Sequence, residues 1–201
     1  MMSEDAENSI DVALMVRIGA EDEDAFRELI ERHQDRIYGT VARMIGGAGP
    51  DAEDLAQQIF LRVWRAAPKW QPKAKVTTWM MTITRNLVFS FSESRARRRE
   101  ESGESIDPET GETFLTSKAG VTKRNPQEEL SGKELVREVE RACAQLPKNQ
   151  RMVVHLRQQE EMEYEEIAEV MGMSVLAVKS LIFRARETLK IKLSGYFRAS
   201  N

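Results

Sequence analysis

From Asp24 to about Arg99 the apolar residues recur at the three-and-four spacing of helices. Phe26, Leu29, Ile30, His33, Ile37, Tyr38, Val41 and Met44 predict one face of a long helix, which Gly46, Gly47 and Gly49-Pro50 end. Asp51 is the expected N-cap of a second helix, with Asp54 three positions on and an apolar face of Leu55, Ile59, Val63 and Trp64. Pro68 and Pro72 stop it. After a short basic loop between Trp70 and Thr77, a third helix is expected from about Thr78 through Trp79, Ile83, Leu87 and Phe91 into Arg95, Arg97, Arg98 and Arg99. The pattern predicts a compact all-α domain over 24–99.

Periodicity fades over 100–126, which is polar and rich in Gly, Ser, Thr and Glu, and reads as a linker. Pro126 suits a first helical turn, and Leu130, Leu135, Val139, Ala142 and Leu146 carry the pattern into a second domain, 127–201. There Tyr164, Ile167, Ala168 and Met171 give one apolar face of a short helix. Gly172 can end that helix in a left-handed conformation, and Ser174 can cap the next. Beyond this three-residue turn, Val175, Val178, Leu181 and Ile182 face inward while Lys179, Ser180, Phe183, Arg184 and Arg186 fall on the outer side. Two short helices, a tight turn and a longer basic helix make a helix-turn-helix, whose second helix fits the DNA major groove.

Charge location changes the picture that total charge gives. The chain of 201 residues has a formal net charge of -3, unpromising for a DNA binder. Residues 1–24, however, hold eight acidic side chains against Arg17 alone, so 1–23 reads as an acidic N-terminal extension. Residues 174–201 carry six basic side chains against Glu187, enough to attract phosphates at close range. The single cysteine, Cys143, excludes an intramolecular disulfide and reads as a small buried hydrophobe. No apolar run approaches the ~18 residues of a membrane span and the N-terminus lacks a basic leader, so no membrane insertion and a cytoplasmic location are expected.

Taken together, DAEDLAQQIFLRVW, the tryptophan-bearing TTWMMTITRN, the linker and LPKNQR…EIAEVMGMS…VKSLIFRAR resemble an extracytoplasmic-function (ECF) RNA polymerase sigma factor of the sigma-70 family. The match covers about 24–99 and 127–193 with the motifs in the family's order. The resemblance implies a sigma-2-like helical bundle and a sigma-4-like helix-turn-helix domain joined by a flexible linker, with the domains free to take several orientations. It also implies binding to core RNA polymerase, through the β′ clamp helices and the β subunit, to promoter DNA and to an anti-sigma factor.

Carried over residue by residue, Asp51, Glu53, Asp54, Gln57, Gln58 and Phe60 match the segment that docks on the β′ clamp helices. An acidic, amide-rich helix face beside an exposed aromatic suits a coiled coil with basic residues; a solvated helix face has the same composition. Lys73, Lys75, Thr77, Thr78, Trp79, Arg85 and Asn86 match the reader of the promoter -10 element. Duplex DNA hides its bases, so such a reader needs a pocket for a flipped base and aromatic or cationic groups for the opened strand. Trp79 suits either that role or the core. Lys73, Lys75 and Pro72 stand where the family often has small or acidic residues.

Lys179, Ser180, Phe183 and Arg184 match the positions that contact the -35 element, with Arg186 and Lys190 placed for phosphates. Leu176 and Ala177 replace the family's frequent Gly-Thr pair, and Arg151 is a further candidate for a backbone contact. No catalytic residue, cofactor or metal site is expected. Glu160, Glu161, Glu163, Glu165 and Glu166 suit helix capping, His33 and His155 lie far apart, and the glycines before Pro50 lack the Lys-Ser/Thr of a phosphate loop. Two alternatives remain: a helix-turn-helix regulator that replaces no polymerase subunit, and a sigma mimic that titrates an anti-sigma factor.

Overall fold

The computed structural model describes residues 4–101 and 128–199. Among them every element is helical: α1 (Glu4–Ile18), α2 (Glu23–Ile45), α3 (Pro50–Ala66), a 3-10 turn (Ala67–Lys69), α4 (Val76–Glu101), α5 (Glu128–Ala144), α6 (Lys148–Gln158), α7 (Tyr164–Met171) and α8 (Val175–Ala199). The linker reading for 100–126 and the helix-starting role of Pro126 lie outside the described residues, apart from Glu100 and Glu101, which extend α4.

Local chemistry sets the boundaries. Asp22 caps α2 by accepting from the Ala25 amide at 2.9 Å, and Gly46 closes it at φ 91°, donating its amide to the Ala42 carbonyl. The buried row Ala25, Leu29, His33, Ile37, Val41 and Met44 follows the expected face. The start of α3 differs from the sequence reading. Gly49, not Asp51, is the N-cap, and Pro50 occupies the first turn, where its missing N–H costs nothing. Asp51 instead sits within that turn, where its charge complements the helix dipole.

The acidic N-terminal stretch also has a side that its charge conceals. Residues 4–18 form α1, and Leu14, Met15 and Ile18 on it are almost fully buried in the first module's core. Asp11 is buried too, accepting from Arg32 Nε and lying against His33 Nε2, each at 2.8 Å. One turn earlier, Asn8 Oδ1 accepts from the Val76 amide at 3.0 Å and so caps α4 from a different helix.

In the second module, Glu163 and Glu166 form a reciprocal capping box at the start of α7. Gly172 ends α7 at φ 63°, and Ser174 Oγ accepts from the Ala177 amide at 3.2 Å, as the sequence predicts. Val178, Ile182 and Ala185 point into the core from α8, with Val175 and Leu181 half-buried. Cys143 is only half-buried; burial still pushes its thiol above the ordinary range. The modules pack on each other: α7 lies along α4 and α6 against α2, so one apolar cluster runs through both.

Candidate partner and nucleic-acid interfaces

On α8 the outer residues stand clear of the protein. Lys179, Ser180, Phe183, Arg184, Arg186 and Lys190 are exposed, and Phe183 keeps 65% of its surface in solvent. An exposed phenylalanine between cations is costly unless something apolar, such as a thymine methyl, covers it. Lys179 Nζ lies 5.5 Å from the Tyr164 ring centroid and the Arg157 guanidinium 5.2 Å from it, so one aromatic ring on α7 holds two cations near the front of the module.

The seven residues matched to a -10 reader are clustered but mostly engaged. Lys73 and Asn86 are exposed, and Thr77 is half-buried. Thr78 is 1% exposed and its hydroxyl has no partner among the described residues. Trp79 is half-buried, tilted 58° against Trp70 at 6.1 Å, so it combines a packing contact with a partly open edge. Lys75 Nζ is bound to Glu166 at 2.9 Å and Arg85 donates to the Met171 carbonyl at 2.8 Å. Burial pushes the Glu166 carboxyl up, but the Glu163 amide and Lys75 outweigh it and hold it below the usual range. Both of these contacts come from α7, the helix that supports α8. The second module therefore lies across the face of α4.

On α3, Asp51, Glu53, Asp54, Gln57 and Gln58 are exposed as expected. Phe60 is not: it is 7% exposed, because α2 packs over it, and the exposed apolar residue there is its neighbour Leu61 at 49%. Phe60 instead forms the wall of a groove of about 490 Å³ between α2 and α3. From α2 come Phe26, Ile30, Gln34, Asp35 and Tyr38, and from α3 Glu53, Ala56, Gln57 and Leu61. Sequence reasoning missed the α2 half. Ile30, Gln34 and Tyr38, spaced by fours beside the buried row, were the available signal.

Arg151 also departs from its expected role. Its guanidinium faces inward, donating to the carbonyls of Met44, Ala144 and Leu146, and burial holds its pKa below the usual arginine range. It joins the modules and holds the α5–α6 turn, so that backbone carbonyls take its donors in this arrangement. A second polar group lies nearby. Glu160 accepts from Arg36 at 2.8 Å, and Thr40 Oγ1 lies 2.9 Å from His155 Nε2 and 3.3 Å from Glu160 Oε1. Burial raises the Glu160 carboxyl, but His155, Arg36 and Thr40 together hold it below the usual range. Among the described residues no helix is long and apolar enough to cross a membrane, and no three potential ligands are grouped to hold a metal.

Comparison with known proteins follows this layout. The sigma-70 region 2 family model matches residues 29–99 and the sigma-70 region 4 model residues 136–189. The chain is 30% identical to the ECF RNA polymerase sigma-E factor of Escherichia coli K12 over 193 residues, spanning 96% of this chain and 99% of that one. The Haemophilus influenzae sigma-E factor is also 30% identical, over 188 residues, 94% of this chain and 97% of the relative. Two solved structures share the fold. CnrH in complex with the cytosolic domain of CnrY has a TM-score of 0.63 at 24% identity, covering 92% of this chain and 98% of its own. The sigma factor RpoE of Bartonella quintana, in complex with the anti-sigma factor NepR, has a TM-score of 0.64 at 21% identity, covering 84% and 96%.

Proposed function

We propose, from the premise that this chain belongs to the ECF sigma factors of the sigma-70 family, that it binds core RNA polymerase and brings it to promoters by reading the -35 element with α8 and the opened -10 strand with α4 and the loop before it. The observation that carries this reading is the pairing of two unlike surfaces: an exposed basic helix face around Phe183 and an acid-rimmed apolar groove between α2 and α3. A helix-turn-helix regulator has no use for the second surface, and a sigma mimic has none for the first.

On α8, Lys179 and Arg184 donate to guanine edges and Phe183 packs on a thymine methyl, while Arg186 and Lys190 set the register on phosphates. At the groove, Asp35, Glu53, Asp51 and Asp54 meet basic residues of the β′ clamp helices, and Leu61 and Tyr38 supply apolar contact. Phe60 supports that surface from beneath. Lys73, Thr77, Trp79 and Asn86 hold the opened strand, with Lys75 and Arg85 joining once their present partners release them. An anti-sigma factor is the natural antagonist, since the sigma factor RpoE above was captured with one.

Run-off transcription with bacterial core polymerase over a promoter library tests the assignment. Transcripts should depend on the chain and fall at least ~10-fold for Lys179→Ala combined with Arg184→Ala, as expected for two lost base contacts. Duplex DNA binding without binding to core polymerase would transfer the assignment to an ordinary regulator.

A further inference from the structure

We infer that Leu176 is a specificity-determining residue of the -35 contact: with Phe183 it forms an apolar pair on the outer face of α8 that reads the methyl groups of two thymines. The inference rests on the -35 reading of α8 given above and adds a residue outside the set matched to that element. Leu176 lies in the first turn of α8 and keeps 78% of its surface in solvent, more even than Phe183 at 65%. It precedes Phe183 by two helical turns, so the two stand on one face, with Lys179 and Ser180, also exposed, between them. A leucine so exposed on a face flanked by Lys179, Arg184 and Arg186 suits a partner that is anionic around the contact and apolar at its centre. The major groove of DNA offers both, with phosphates along its rims and thymine methyls on its floor.

The chemistry of the first turn narrows the reading further. Ser174 Oγ accepts from the Ala177 amide at 3.2 Å and is spent on the cap. From Val175 to Val178 no side chain carries a hydrogen-bonding group, and Val178 is buried while Val175 and Ala177 are half-buried. Leu176 alone of these four is exposed. In a helix-turn-helix this end of the second helix meets the base edges. Recognition there is therefore by van der Waals contact, and the apolar group that a base edge presents in the major groove is the thymine methyl. An alkyl chain laid on a purine would instead cover its N7 acceptor and leave it unpaired, so Leu176 both favours thymine and disfavours a purine at the same place. The helix sets the spacing. At about 1.5 Å per residue, Leu176 and Phe183 stand about 10 Å apart, the span of roughly two or three base pairs at about 3.4 Å each.

Promoters that core polymerase carrying the full-length chain selects from a randomised library supply the probe. Each thymine of the selected -35 element, on either strand, is replaced singly by deoxyuridine, which removes the 5-methyl group and leaves every hydrogen-bonding group in place. Two replacements, roughly two or three base pairs apart, should each weaken holoenzyme binding about fourfold, the value of one buried methyl-sized group. Leu176→Ala should abolish the response at one of them and leave the other, which Phe183→Ala should abolish in turn. Leu176 is exposed, so its truncation leaves no cavity, and alanine keeps the helix; circular dichroism checks both variants. Selection repeated with Leu176→Ala should flatten the base preference at that one position. Unchanged deoxyuridine responses in the Leu176→Ala holoenzyme overturn the inference. So does weaker binding of Leu176→Ala to core polymerase with the DNA responses intact, which would give Leu176 a protein partner instead. A wild-type holoenzyme that selects no -35 sequence at all overturns the -35 reading of α8 itself.

Discussion

Asp11 is a carboxylate buried among apolar side chains, tolerated because Arg32 and His33 both bond it. Burial alone would raise its pKa; the hydrogen bonds and charges of His33 and Arg32 outweigh that and hold it below 3.8. A carboxyl depressed on folding contributes stability above its unfolded pKa and loses it as pH falls through the folded value. Thermal melts should therefore show wild type losing stability below about pH 4, the ordinary carboxylate range. Asp11→Asn should cost about 3 kcal/mol at neutral pH, since it strands its partners, and flatten the acid limb of the profile. Single residues were also where the sequence was least legible. Phe60 and Arg151 have the right types at the right spacing for partner contacts, yet α2 covers one and three carbonyls claim the other. Spacing assigns a side chain to a face of its helix; what lies opposite that face comes from other elements.

Elements were legible where their signals are local. The helix-turn-helix follows from the apolar row of α7, Gly172 and Ser174, all within a dozen residues, and each has its expected role. Gly172 sits at φ 63° with open space where a Cβ would go. Gly172→Ala should therefore cost only the backbone penalty, about 1 kcal/mol in a thermal or denaturant melt, with no clash added. A loss of several kcal/mol would show that this turn is tied to more than its own conformation. By contrast α1 was obscured, because its acidic residues dominate the composition while Ile10, Leu14, Met15 and Ile18 make a narrow apolar edge. Its reach extends beyond packing. Asn8→Ala should cost about 1 kcal/mol as a lost cap, and faster amide exchange at Val76 than elsewhere in α4 should locate the effect there.

At the scale of the whole molecule the sequence offered two helical modules and a polar linker, which leaves their mutual placement open. Placement depends on pairs such as Arg36 with Glu160 and Arg85 with Met171, which no periodicity or cap connects. The interface carries an exposed ion pair as well, Lys148 with Glu93, and a half-buried one, Lys75 with Glu166, and salt screens the first more than the second. Scattering measured at rising ionic strength should show the chain expanding, and a radius indifferent to salt would mean that the buried contacts hold the modules without help from the surface pairs. The groove of α2 and α3 remains accessible in this same arrangement, with Gln34, Asp35 and Leu61 exposed, while α7 engages Lys75 just before α4 and Arg85 on it. A partner at the groove therefore finds its contacts already laid out, whereas a strand laid along α4 has first to part Lys75 from Glu166 and Arg85 from the Met171 carbonyl; the two surfaces differ in what must be undone before either is used.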